Sequence, residues 1–158
     1  DLSGWTVQGE WTAAADLGHD SKHAFGTSYV VSTRYQEIDL LAAQFTEKQL
    51  DSGPQVHMSE WVGARHDSGG HYFVCFELLD ANRNVIQSHA VGSVDNLVPI
   101  PAGTGFFEVA HVFDKAPAGL RYLRISDGGR DDRRWAGFYG PHFDDAAARV
   151  LPTVPVDG

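Results

Sequence analysis

The stretch from His66 to Asn84 reads HDSGGHYFVCFELLDANRN. Two turn clusters, HDSGG and DANRN, bracket a run dense in β-branched and aromatic residues. A segment of that length between Gly, Asp and Asn punctuation reads as a strand, placed at His71–Leu79. The same grammar repeats outward in both directions. Candidate strands fall at Gly26–Thr33, Gln55–Val62, Val85–Ala90, Gly105–Phe113, Leu120–Ser126 and Trp135–Phe143. Phe107, Val109, His111 and Phe113 alternate with the period of two that a strand with one inward face requires. Turn chemistry separates them at Asp51–Pro54, Pro101–Gly105, Lys115–Gly119 and Asp127–Gly129. Only DLLAAQFTEKQLD, Asp39–Asp51, breaks the rhythm. Its helix formers, with Leu41, Phe45 and Leu50 apolar, predict one short helix at the edge. The expectation is an all-β fold, an antiparallel β-sandwich of jelly-roll type with one short helix.

The chain has 158 residues, 42% of them hydrophobic, which suits one globular domain. The domain is expected over residues 1–150, and LPTVPVDG, with two prolines, supplies a tail over 151–158. A formal net charge of −9 argues against nucleic acid and against an anionic membrane surface as partners. No apolar run approaches the ~18 residues of a spanning helix. The single cysteine, Cys75, excludes an internal disulfide and reads as a buried packing thiol in a reducing compartment, the cytoplasm, with secretion as the alternative.

Chemistry concentrates in GGRDDRRWAGFYG, Gly128–Gly140. Trp135 there reads either as a core residue of the last strand or as an exposed ring at a loop. Asp67, in HDSGG, reads either as a turn residue bonding its own backbone or as a ligand-facing carboxylate. Phe138 and Tyr139 read as core. His57, His66 and His71 cluster in sequence but lack a metal-ligand spacing. Asp131 and Asp132 with backbone carbonyls suit Ca²⁺ better, yet no complete ligand loop is visible. Asp131–Asp132 and Asp144–Asp145 are adjacent pairs, and neighbours on a strand point to opposite faces, so neither forms a ready acid–base pair. No nucleophile or phosphate-loop motif appears. The expectation is a non-enzyme with no catalytic residue, metal or cofactor.

Four separated motifs carry a family resemblance: GTSYVVSTRYQEIDLLA (Gly26–Ala42), SEWVGARHDSGGHYFVCFELL (Ser59–Leu79), FEVAHVFDKAPAGLRYLRISDGG (Phe107–Gly129) and RDDRRWAGFYGPHF (Arg130–Phe143). Together they resemble the F-box-associated domain, found in N-glycan-binding F-box proteins and in the nonspecific cytotoxic cell receptor protein. The resemblance implies a galactose-binding-like antiparallel sandwich whose end loops hold a glycan. It implies as site residues Tyr29, after Thr-Ser; Asp67, in the Arg-x-Asp turn; and Arg134 and Trp135. Where sugar-binding members carry Tyr-Trp-Lys, this chain has Arg134-Trp135-Ala136. The implied function is a lectin-like module for glycans, with GlcNAc- or mannose-containing N-glycans as the finer expectation and a glycan or glycoprotein as partner. The alternative is a protein-interaction domain on the same fold, serving as the substrate-recognition part of a ubiquitin-ligase adaptor if an F-box lies outside these residues.

Overall fold

The structure is a computed structural model and describes residues 3–15, 23–133 and 137–153. Among the described residues, eleven strands and one helix follow in the order β1 (Thr6–Gln8), β2 (Trp11–Ala15), β3 (His23–Thr27), β4 (Ser32–Asp39), α1 (Glu47–Asp51), β5 (Gln55–Gly63), β6 (Gly70–Leu79), β7 (Val85–Val91), β8 (Val98–Ile100), β9 (Phe107–Phe113), β10 (Tyr122–Asp131) and β11 (His142–Leu151). They form two antiparallel sheets. One runs β1-β4-β10-β6-β7, with β8 also on β6; the other runs β2-β3-β11-β5-β9. The fold is the antiparallel β-sandwich expected, with one short helix.

Alternation drives the layering. Along β5, Val56, Met58 and Val62 are buried while His57, Ser59 and Trp61 are partly exposed. Across the gap, Phe76, Leu78, Leu123 and Ile125 face them from β6 and β10, and Phe113 and Phe143 fill the middle. Each fully buried side chain of this size contributes about 1.5–3 kcal/mol relative to exposure.

Two inward positions break the apolar pattern and meet each other. Glu60 of β5 and Arg34 of β4 are both buried, with Asp127 of β10 as a third partner. Arg34 donates from Nε to Asp127 at 2.8 Å and from Nη2 to Glu60 and Asp127 at 2.9 Å each. Its guanidinium carbon lies 3.8 Å from the Trp5 ring centre and 4.5 Å from that of Phe25. One cation cannot neutralise two buried carboxylates. Burial, then the neighbouring Asp127, pushes the Glu60 carboxyl well above the usual range. Through Arg34, which bonds Asp127 on its own sheet and Glu60 on the other, the cluster bridges the two sheets.

Several elements depart from the sequence expectations. The Gly26–Thr33 strand is two strands, β3 and β4, separated by the loop 28–31. Asp127–Gly129 is no turn but the centre of β10, paired on both sides. Glycines belong there because a Cβ on Gly128 would strike the Ser32 carbonyl and the Phe73 ring, and one on Gly129 the His71 carbonyl. The helix covers only Glu47–Asp51, opened by a capping box in which Thr46 Oγ1 accepts from Gln49 N and Gln49 Oε1 accepts from Thr46 N. Before it, Gln44 turns left-handed at a φ of 77°, which ends the helical register predicted from Asp39. The last strand is His142–Leu151; of the stretch expected as a strand from Trp135 to Phe143, residues 137–141 are loop and Trp135 and Ala136 lie outside the described residues, so Asp144 and Asp145 lie in a strand, and Asp144 is buried. Cys75 is half-buried on the outer face of β6 and not in the core. Phe138 is 38% exposed and belongs to a loop.

Candidate functional site

Three segments meet at one end of the sandwich: 28–31 between β3 and β4, 64–69 between β5 and β6, and, between β10 and β11, the described residues 132–133 and 137–141. Backbone hydrogen bonds join them. Asp131 N donates to Ser28 O at 3.0 Å, Gly140 N to Thr27 O at 3.0 Å, and Asp132 N to Gly69 O at 3.0 Å. Ser28 Oγ donates to Gly137 O at 2.6 Å and Thr27 Oγ1 to Pro141 O at 3.1 Å. Gly137 adopts a φ of 113°, a backbone region that a residue with a Cβ enters only with strain. A Cβ on Gly140 would collide with the Thr27 hydroxyl, so that close approach also requires glycine.

Tyr29 is exposed at 38% and stands in the first loop. Asp67 stands in the second. Its two oxygens accept from Arg65 Nε at 2.9 Å and Arg65 Nη2 at 3.1 Å. That fork holds the Asp67 carboxyl down at about 2, so it is ionised throughout the physiological range. A carboxylate has about four lone-pair positions, so both oxygens keep capacity for hydroxyl donors. Arg134 and Trp135, the other two residues expected at the site, lie outside the described residues, as does Ala136.

Sequence reasoning missed the parts that hold these loops together. The Arg65 guanidinium stacks 4.7 Å from the centre of the Tyr139 ring and so links the second loop to the third. The second loop is also tied to 101–104, since Gly103 N donates to Arg65 O at 2.7 Å and Ala64 N to Thr104 O at 3.0 Å. His142 is buried where β11 begins, and its Nε2 has no hydrogen-bond partner. Burial, then the charge of Arg65, lowers its pKa to about 4. The Arg-x-Asp spacing was the one visible signal for the fork; nothing in the local sequence marks the Arg65–Tyr139 stack.

Of the other candidate chemistry, His71 Nδ1 lies 2.6 Å from Asp132 Oδ1, and His57 Nε2 lies 2.7 Å from Gln55 Oε1. Among the described residues no group of three His, Cys, Asp or Glu side chains is arranged to hold a metal ion. Among them, too, no helix is long and apolar enough to cross a membrane.

Residues 1–150 match the model of the F-box associated region. The chain belongs to the F-box associated family. Relatives include human F-box only protein 44, 32% identical over 141 residues and covering 85% of this chain and 52% of that protein. Mouse F-box only protein 27 is 34% identical over 152 residues, covering 93% and 51%. Human F-box only protein 6 is 33% identical over 132 residues, covering 83% and 44%. The chain thus spans about half the length of the curated relatives it matches. Among solved structures, the CBM22-1 xylan-binding domain from Paenibacillus barcinonensis Xyn10C superimposes with a TM-score of 0.55 at 13% identity, covering 96% of this chain and 88% of that one. TmCBM61 in complex with β-1,4-galactotriose does so with a TM-score of 0.56 at 14% identity, covering 94% and 90%. At such identities the likeness is one of fold.

Proposed function

We propose that this F-box associated domain binds glycans, without catalysis, at the loop end of its sandwich. The observation that carries this is the convergence of the three loops. The loops bearing Tyr29 and Asp67 are joined by hydrogen bonds to Asp131, Asp132, Gly137 and Gly140, the described residues on either side of the Arg134–Trp135 pair, although more than a hundred positions separate the first from the last. A sugar needs an apolar ring against its C–H face and fixed polar groups along its hydroxyl rim. Tyr29 and Trp135 supply rings, Asp67 an ionised acceptor held in one orientation by Arg65, and Arg134 a planar donor. Membership of the F-box associated family and a fold shared with a xylan-binding domain and a galactotriose-bound module support the assignment. The ligand we infer is an N-glycan rich in GlcNAc or mannose, presented by a glycoprotein. A free thiol with no disulfide partner suits a cytoplasmic setting.

A second reading rests on Ala136. Sugar-binding members carry Lys at that place, and Ala offers no donor. A site short of one donor fits a protein-interaction domain on the same fold. A glycan array probed with the isolated chain separates the two. Binding to oligosaccharides in the wild type, lost in Asp67→Ala, supports the glycan site; a blank array moves the assignment to protein interaction.

A further inference from the structure

A cleft of about 410 Å³ opens on the outer face of the first sheet. Val74, Phe76 and Ile125 belong to the core, so their neighbours Phe73, Cys75 and Ser126 point the other way. Register sets Ser126 of β10 beside Cys75 of β6, and Cys75 beside Ala90 of β7. These three side chains make the floor, and their shortness gives the cleft its depth. The Phe73 ring borders it, lying so near Gly128 that a Cβ there would stand 2.8 Å from Phe73 Cε1. After β7 comes a tight turn in which Ser93 N donates to Asn96 O at 3.1 Å and Asn96 N to Ser93 O at 3.0 Å. That turn brings Val94, 49% exposed, to the rim. Gln8 of β1 and Thr33 of β4, partners in register, complete the border.

The lining is neutral throughout. Phe73, Cys75, Ala90 and Val94 offer carbon and sulfur, while Thr33, Ser93 and Ser126 offer hydroxyls and Gln8 an amide. Each of these polar groups can both donate and accept, and among the described residues no side-chain hydrogen bond occupies any of them. The charged row next along the same face is paired within itself. Arg124 lies 2.7 Å from Glu37 on β4 and 3.6 Å from Glu77 on β6. No counter-charge is therefore left over for a ligand in the cleft.

We propose that this cleft binds a small, neutral and mainly apolar ring compound carrying a few hydroxyl or carbonyl groups, independently of the loop-end site. Its volume falls in the range of about 300–1,000 Å³ found for clefts that take small molecules, and its mixture of apolar lining with a few polar groups is the one such clefts share. An ion would enter apolar surroundings without a partner for its charge. A sugar fits poorly as well. It carries a hydroxyl on nearly every carbon, and Phe73, only 7% exposed, offers little ring face to stack on. An extended peptide would bring backbone groups that find no match on a sheet face, because β10 and β6 spend theirs on neighbouring strands. A planar ring system laid on the Ser126, Cys75 and Ala90 floor, its oxygen reaching a hydroxyl at the border, meets every demand of the lining.

The test is calorimetric titration of the intact chain at pH 7 with 2-naphthol, a neutral pair of fused rings with one hydroxyl, and with 2-naphthoate, its charged counterpart. 2-Naphthol is expected to bind at one site with a Kd of about 1 mM or tighter, in keeping with its few atoms, and 2-naphthoate at least tenfold more weakly. Binding should be unchanged in Asp67→Ala, which alters only the loop end. It should weaken at least tenfold in Ala90→Trp, which fills the cleft from an exposed position. Val94→Asp, also exposed, sets a carboxylate at the rim and serves as the second blocking variant if Ala90→Trp does not fold. Cys75 gives an independent readout, because 2-naphthol on the floor should slow its labelling by iodoacetamide in proportion to occupancy. Four results would overturn the proposal: no saturable binding of 2-naphthol, equal affinity for 2-naphthoate, full affinity in the folded blocking variants, or Cys75 labelling unchanged at saturation.

Discussion

Acidification from pH 7 to pH 4 should cost this domain about 3 kcal/mol through His142 alone. The imidazole is buried, and the charge of Arg65 adds to burial in lowering its pKa to about 4, against an unperturbed value of 6.5. Its folded pKa lies below its unfolded one, so between pH 6.5 and pH 4 the unfolded chain binds the extra proton. Stability therefore rises with pH across that window, is fully present above pH 6.5, and is lost as pH falls through 4. The difference of 2.5 pKa units, at about 1.36 kcal/mol per unit, gives roughly 3 kcal/mol, a large share of the ~5–15 kcal/mol typical of a domain. The assay is urea denaturation of the wild type and His142→Gln at half-unit steps from pH 4 to pH 7.5. Subtracting the variant removes every other titration. The wild-type advantage should grow by about 3 kcal/mol from pH 4 to pH 6.5 and then level off. A difference that stays flat, or that falls with rising pH, would refute the burial and charge argument for this residue.

The buried cluster makes opposite demands. Arg34→Met strands Asp127 and Glu60 without a cation and should destabilise the fold by about 3–5 kcal/mol in the same denaturation assay. Glu60→Gln should do the reverse as pH rises. The Glu60 carboxyl is raised in the folded state, so the wild type loses stability above the ordinary carboxylate value of 4.5, and the Gln variant should gain on it across that rise; equal slopes would contradict the upward shift of Glu60. The Cys75 thiol is pushed up to about 11 by burial and by Glu77, against an ordinary 9.0, so its thiolate fraction at neutral pH is about a hundredfold lower. Iodoacetamide should label it in the native protein at least that much more slowly than a free cysteine, and labelling at the free rate would show the thiol to be unperturbed.

How much of this was legible in the sequence depends on what each residue faces. Strands β5 and β6 could be read to within a residue because their apolar alternation and flanking turns agree. The Asp-Gly-Gly of β10 was misread because its glycines answer to neighbours far away in sequence, the Ser32 and His71 carbonyls, and not to a turn. The Ala-rich His142–Leu151 segment carries little β signal of its own; its pairing with β5 makes it a strand. The strands before Gly26 also went unread, and β1 is short and wholly exposed, with no buried alternation to detect. At the site, Tyr29 and Asp67 could be named from the motifs that carry them, but Arg65, Tyr139 and His142 act across loops, and only the fold brings them together. Arg34 and Glu60 drew no reading from the sequence, because their burial and their pairing exist only when the two sheets face each other.

The account rests on glycan binding at the loop end, and calorimetry tests it most directly. The strongest array ligand is titrated into the folded wild type, Asp67→Ala and Trp135→Ala. The account predicts measurable affinity in the wild type, at least about a tenfold loss on removing the Asp67 carboxylate, and a larger loss, about thirtyfold or more, on removing the stacking ring. Equal affinity in all three proteins would place the glycan elsewhere, and no heat with any glycan would contradict the glycan-binding function itself.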